Sequence, residues 1–121
     1  MQGICDGAAS VVLASAEACK EYNLKPLARL VAYSAVGVPP EIMGFGPVPA
    51  IRNVLSLAGL GIDDIDIIEI NEAFGAQALS CAKELKINMD KFNMNGGAIA
   101  LGHPLAASGS RITGHLVHEL Q

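Results

Sequence analysis

Short apolar runs rich in β-branched residues alternate along this chain with stretches whose apolar residues recur at helical spacing, and that alternation constrains the fold more than any other feature. Residues 8–15 (AASVVLAS) centre on Val11 and Val12 and predict a buried strand. A short helix is expected over Ala16 to Tyr22, stopped by Asn23 and Pro26. Residues 27–38 (LARLVAYSAVGV) carry the β-branched and aromatic content of a second strand, ended by Pro39-Pro40. Residues 41–46 show no clear period. Pro47 is placed to open a helix in which Ile51, Val54, Leu55 and Ala58 share a face, with Gly59 as its C-terminal cap. A third strand is expected over residues 65–70 (IDIIEI), then a helix from about Ala73 whose apolar face collects Phe74, Ala78, Cys81, Ala82 and Leu85. After the glycine-rich segment NGGAIALGHP, a last amphipathic helix places Ile112, Leu116, Val117 and Leu120 together. Strands alternating with helices imply an α/β layered fold.

Composition removes several functional classes. Twelve acidic residues against eight Lys plus Arg give a formal net charge of -4, which offers no basic footprint for nucleic acid or an anionic membrane surface. The mean hydropathy of +0.40 raises the question of a membrane span. The apolar stretch from Ala8 to Ala16 is interrupted by Ser10 and Ser15, and none of the others approaches the roughly 18 residues a span needs. Cysteines at positions 5, 19 and 81 are odd in number and scattered, which argues against a disulfide framework and for a reducing, intracellular compartment. The N-terminus lacks the cationic region of a secretory signal. Both ends are abrupt, one close to a strand and one inside a helical pattern, so the chain is expected to be cut from something longer.

Most of the candidate motifs fail on their chemistry. Gly97 to Gly102 has the glycine spacing of a phosphate-cradling loop, but His103-Pro104 stands where Lys and Ser or Thr are required. Gly44-Phe45-Gly46 begins a dinucleotide fingerprint that Pro49 breaks. His115 and His118 are three apart with Glu119 last, which is neither zincin pattern; they read as polar residues favoured near a helix C-terminus. Cys81, on an apolar helix face, reads as an inert packed thiol. Ser108 and Ser110 lack the G-x-S-x-G elbow of a hydrolase nucleophile. Two segments stand apart. In NEAF, Asn71 to Phe74, an amide and a carboxylate sit where a strand gives way to a helix, and Asn71 reads equally as a helix N-cap or a site residue. His103 follows Gly96, Gly97 and Gly102 and precedes Pro104, which holds an imidazole beside backbone that a ligand can approach closely, a fair arrangement for a general base.

NEAF, NGGAIALGHP with the following SGSR, and MGFGPVPA (Met43 to Ala50) occur here in the order found in the C-terminal half of thiolases, and with GICDGAASVVLAS the resemblance covers nearly the whole chain. The loop and last helix are most similar to the degradative branch that cleaves 3-ketoacyl-CoA. The resemblance implies a thiolase-like layered α/β fold over residues 1–121, ending before the last two strands of a five-stranded sheet. It implies cleavage of 3-ketoacyl-CoA by CoA to acetyl-CoA and a shortened acyl-CoA, through an acyl-enzyme on cysteine. His103 becomes the base that activates the thiol, and His103 with Asn71 forms the oxyanion hole. Met43 and Phe74 would line the acyl pocket, and Glu72 would orient groups around it. No cofactor is implied beyond CoA as substrate. Implied partners are acyl-CoA, CoA, a thiolase N-terminal domain and further copies in a homo-oligomer, in the mitochondrial matrix or alternatively the peroxisome or cytosol. Two departures follow from the same comparison. The family's nucleophilic cysteine and its CxG cysteine match none of Cys5, Cys19 and Cys81, so this chain alone is expected to lack turnover. Ala106 and Ala107 stand where the family commonly has Gly then Gly or Ala, and a positive φ at 106 would strain the loop. Alternatives are an acetoacetyl-CoA thiolase and a non-catalytic thiolase-like module that binds acyl-CoA or a partner chain.

Overall fold

A computed structural model of the protein describes residues 5–121. The helices fall where periodicity places them. α1 spans Ala16–Glu21; the Ser15 hydroxyl accepts from the Ala18 N–H at 3.1 Å to open it, and Asn23 turns left-handed (φ 51°) just beyond its end. α2 spans Pro47–Ala58, begun by a proline whose missing N–H is no loss at the first position and ended by Gly59 at φ 68°. The unpatterned stretch before it is a 3₁₀ turn, Pro40–Phe45. α3 spans Gly75–Leu85, α4 is a single turn over Ala98–Leu101 within the glycine-rich segment, and α5 spans Ser108–Glu119.

The three expected strands do not form ladders among the described residues. Residues 8–14 and 25–38 adopt neither helix nor strand and make no backbone–backbone hydrogen bond among the described residues. They are also largely exposed, with Val12 at 92%, Tyr33 at 81% and none of them buried, so the expectation of buried strands there is corrected. The physical reason is that a strand is completed by its neighbour: local pattern registers a preference for burial, while pairing depends on backbone from elsewhere.

The third run comes nearest to a strand. Ile68 forms a single parallel bridge with Phe92, in which the Ile68 N–H donates to the Lys91 carbonyl at 2.8 Å and the Asn93 N–H donates to the Ile68 carbonyl at 2.9 Å. The Asn93 side chain then continues the ladder. Its Oδ1 accepts from the Ile70 N–H at 2.9 Å and its Nδ2 donates to the Ile70 carbonyl at 3.0 Å. The layered α/β expectation is thus reduced to helices packed on one parallel bridge.

The core lies where α2 and α3 meet this bridge. Val48 enters from α2, Ala78, Cys81 and Ala82 from α3, and Ile68 and Ile70 from the bridged segment. Burying side chains of this size contributes about 1.5–3 kcal/mol for a Val or Ile. The expected inner face of α3 is the observed one except at Phe74, which caps the helix from outside and stays half-exposed. Ala106 is not in the left-handed region, so the expected loop strain is absent. Among the described residues no helix is long and apolar enough to cross a membrane.

Candidate active site

Two segments distant in sequence meet at one point. Asn71 leaves the bridged segment just before α3, and His103 follows α4; the Asn71 Nδ2 and His103 Nε2 atoms lie 3.3 Å apart across a separation of 32 residues. Asn71 therefore does not cap α3, whose N-cap is Phe74. Of the two readings of Asn71, the helix cap is not the one observed, and its side chain lies against His103 instead. The oxygen of the same amide, Oδ1, is buried with no hydrogen-bond partner among the described residues. Buried acceptors are nearly always satisfied, so this one is an available acceptor for a bound group.

The geometry that brings the imidazole there is local. Gly102 ends α4 at φ 92°, a conformation L side chains rarely adopt, and this turns the chain so that His103 faces back. Its bare Cα also leaves room for Cys5, whose Sγ would lie 2.7 Å from a Cβ at that position. On its far side the ring is held by α5: His103 Nδ1 lies 2.6 Å from the Ser108 Oγ, and that hydroxyl donates to the Pro104 carbonyl at 3.3 Å. Ser108 is only 4% exposed.

Glu72 fastens the two segments together. Its Oε2 accepts from the Ile99 N–H at 3.0 Å, at the start of α4, and its Oε1 accepts from Asn93 Nδ2 at 3.4 Å. A carboxylate at a helix start is favoured by the unsatisfied N–H groups there. Gly97 makes this approach possible, because a Cβ on it would overlap the Glu72 carboxylate. Met43 and Phe74 lie outside this bonded network, 68% and 48% exposed. Their elements are joined nonetheless: the Cys81 thiol donates to the Gly44 carbonyl at 3.3 Å, tying the turn that bears Met43 to the helix that Phe74 caps.

Of the other candidates, Cys81 is fully buried, and burial pushes its thiol pKa up despite a weak bond from Gln77. That environment suits packing and disfavours the thiolate. His118 sits exposed in the last turn of α5, whereas His115 turns inward to Glu69, 3.5 Å from its Oε1. Among the described residues no group of three or more His, Cys, Asp or Glu is arranged to hold a metal. A cleft of about 440 Å³ between α2 and α3, lined by Arg52, Leu55, Leu60 and Leu85, includes none of the five expected site residues, so the hydrogen-bond geometry defines the site.

Sequence reasoning missed two contributors. By motif Ser108 is a candidate only as a nucleophile, although its place at the first turn after His103-Pro104 puts its hydroxyl within one helical turn of the ring. Asn93, buried at φ 45°, carries no sequence mark beyond the tolerance of asparagine for that conformation.

An amide that follows the bridged segment meets an imidazole from a glycine loop, and comparison with known proteins gives the class of the chain that carries them. Residues 24–121 match the family model described as thiolase, C-terminal domain, and the chain belongs to the thiolase family. It is 56% identical over 119 residues to human mitochondrial 3-ketoacyl-CoA thiolase, covering 98% of this chain and 30% of that protein. The crystal structure of the human enzyme in complex with CoA superposes with a TM-score of 0.87 at 57% identity, over 88% of this chain and 27% of that one. An acetyl-CoA acetyltransferase of Chromobacterium violaceum is likewise 56% identical over 119 residues, 98% of this chain and 30% of that protein. The dimeric peroxisomal thiolase of Saccharomyces cerevisiae aligns at TM-score 0.83 and 52% identity, over 85% of this chain and 26% of that one. The chain thus spans about 30% of the length of the relatives it matches.

Proposed function

We propose that this chain is the C-terminal part of an acetyl-CoA C-acyltransferase, supplying the base and the oxyanion contacts for thiolytic cleavage of 3-ketoacyl-CoA. The observation that carries the reading is the 3.3 Å approach of Asn71 Nδ2 to His103 Nε2. The nucleophilic thiol comes from a thiolase N-terminal domain. A free thiol of pKa about 8.5 is mostly protonated at neutral pH, so a base must take its proton, and His103 Nε2 is that base. The thiolate attacks the 3-keto carbon, the bond between carbons 2 and 3 breaks, and its electron pair leaves as the enolate of acetyl-CoA. His103 now carries an Nε2–H that faces the enolate oxygen. A water donating one hydrogen to Asn71 Oδ1 and the other to that oxygen completes the hole, where each preorganised donor contributes about 3 kcal/mol. The CxG cysteine that the thiolase resemblance implies gives its proton to carbon 2, which releases acetyl-CoA; its thiolate takes the CoA thiol proton, CoA takes the acyl group from the cysteine thioester, and the freed cysteine thiolate recovers its proton from His103 Nε2. Met43 and Phe74 contribute an apolar wall for the acyl chain, and Glu72 holds the Asn71 and His103 segments in register. The mitochondrial relatives favour the matrix as the site of action, and the dimeric yeast neighbour supports a homo-oligomer.

The test is a chimera in which this chain replaces the aligned segment of the human enzyme with its flanking sequence retained. His103→Ala is expected to slow alkylation of the nucleophilic cysteine by iodoacetamide by about 100-fold or more. An unchanged alkylation rate removes His103 from the mechanism. A second reading, acetoacetyl-CoA thiolase, is favoured by the bacterial acetyltransferase at equal identity. Turnover of acetoacetyl-CoA but not of longer 3-ketoacyl-CoA substrates by the chimera would select it.

A further inference from the structure

We infer that Ser108 is a positioning residue that fixes the tautomer of His103, keeping the ring proton on Nδ1 so that Nε2 alone exchanges protons with the reacting groups. This rests on the reading of His103 as the base. A serine hydroxyl has one hydrogen, and here it is donated to the Pro104 carbonyl, 3.3 Å away in the same turn. Toward His103 the Oγ therefore offers a lone pair, and the 2.6 Å contact requires Nδ1 to bring the hydrogen. The opposite edge of the ring requires the same arrangement. Asn71 presents Nδ2, a donor without a lone pair, so Nε2 must be the unprotonated nitrogen that accepts.

The burial of Ser108 excludes water that would offer Nδ1 a competing partner. The chemistry uses this bias twice. With Nδ1 protonated, Nε2 has the lone pair that accepts the thiol proton. In the imidazolium that results, Nδ1–H stays on Ser108 while Nε2–H faces the enolate oxygen and is the proton later returned. In the opposite tautomer Nε2 has no lone pair and the free nitrogen faces away from substrate.

The experiment uses the chimera and follows the rate of iodoacetamide alkylation against pH. Ser108→Ala removes the acceptor that stabilises the imidazolium more than the neutral ring, so its effect has a direction. The rate should fall about 10- to 100-fold and the limb that reports His103 should move to lower pH. Ser108→Thr, which keeps the hydroxyl, should restore the wild-type limb. A fall in rate with an unmoved limb, the signature of a loosened structure, overturns the proposal, and so does a Ser108→Ala variant with wild-type rate and limb. If Ser108→Ala does not fold, Ser108→Thr decides alone, and a displaced limb in that variant overturns the assignment. Loss of alkylation in His103→Ala alongside wild-type behaviour in Ser108→Ala removes only the role of Ser108. Unchanged alkylation in His103→Ala removes the underlying reading of the site.

Discussion

Residues 5–38 and residues 47–119 are both rich in apolar side chains, yet only the second stretch carries a core and the candidate site. Val12 and Val48 show the contrast most sharply: both sit among apolar neighbours in sequence, but one is 92% exposed and the other 1%. The difference lies in who supplies the partners. Val48 meets α3 and the bridged segment, all within the chain, whereas residues 8–14 and 25–38 find no backbone partner among the described residues. Apolar content states a demand for burial, and tertiary neighbours decide whether it is met. The first region still touches the candidate site at two places: Cys5 packs against Gly102, and Gly7 packs so closely on the Pro104 ring that a Cβ would come within 2.6 Å of its Cγ.

Paired substitutions break this comparison if it is wrong. Val48→Ala removes two methyl groups from a closed core and is expected to cost about 2–3 kcal/mol in denaturant unfolding of the chain. Val12→Ala is expected to stay within about 0.5 kcal/mol. Equal costs would mean that residues 8–14 are packed in solution and that the two regions do not differ. A glycine pair sharpens the same contrast at the site. Gly97→Ala must push the Glu72 carboxylate off the Ile99 N–H and Asn93, with an expected loss of about 1–3 kcal/mol. Gly37, in the exposed region, has open space where a Cβ would stand, and Gly37→Ala should be neutral or slightly stabilising. In the chimera Gly97→Ala should also slow alkylation, because Glu72 no longer holds the Asn71 segment to α4.

What was legible in the sequence follows the same division. Helices are set by contacts three and four residues apart, so α1, α2, α3 and α5 could be read, with Gly59 as the cap that ends α2, whereas the N-cap of α3 is Phe74 and not Asn71. The meeting of Asn71 with His103 was legible only through the thiolase resemblance, because nothing local links residues 32 apart. Strand pairing has no local signature at all, which is why residues 8–15 and 27–38 were misread as buried strands. The strap through Glu72 and the Asn93 side chain that completes the ladder at Ile70 were illegible for the same reason: each depends on backbone groups brought in by the fold.

The finest test lies within the packed region, at Glu69. Its side chain is 1% exposed, and its Oε1 lies 3.5 Å from His115 Nε2 yet makes no hydrogen bond. Burial is the largest influence on its pKa and pushes it up; His115 and Arg111 pull it down, Glu72 and Glu119 add to the rise, and the balance is upward. A carboxyl whose folded pKa exceeds its unfolded one contributes stability that is fully present below the ordinary value of 4.5 and lost as pH rises through the raised value. At pH 7 the ionised group is therefore a net cost, because desolvation outweighs the attraction of His115 and Arg111. Glu69→Gln keeps the shape and removes the charge, so it should raise unfolding stability at pH 7 by about 1 kcal/mol. The advantage should shrink to about zero near pH 4, where the wild-type carboxyl is protonated. A loss of stability at pH 7 instead would show that the pairing with His115 and Arg111 outweighs burial, and that an ion pair joins the segment bearing Asn71 to the helix that positions His103.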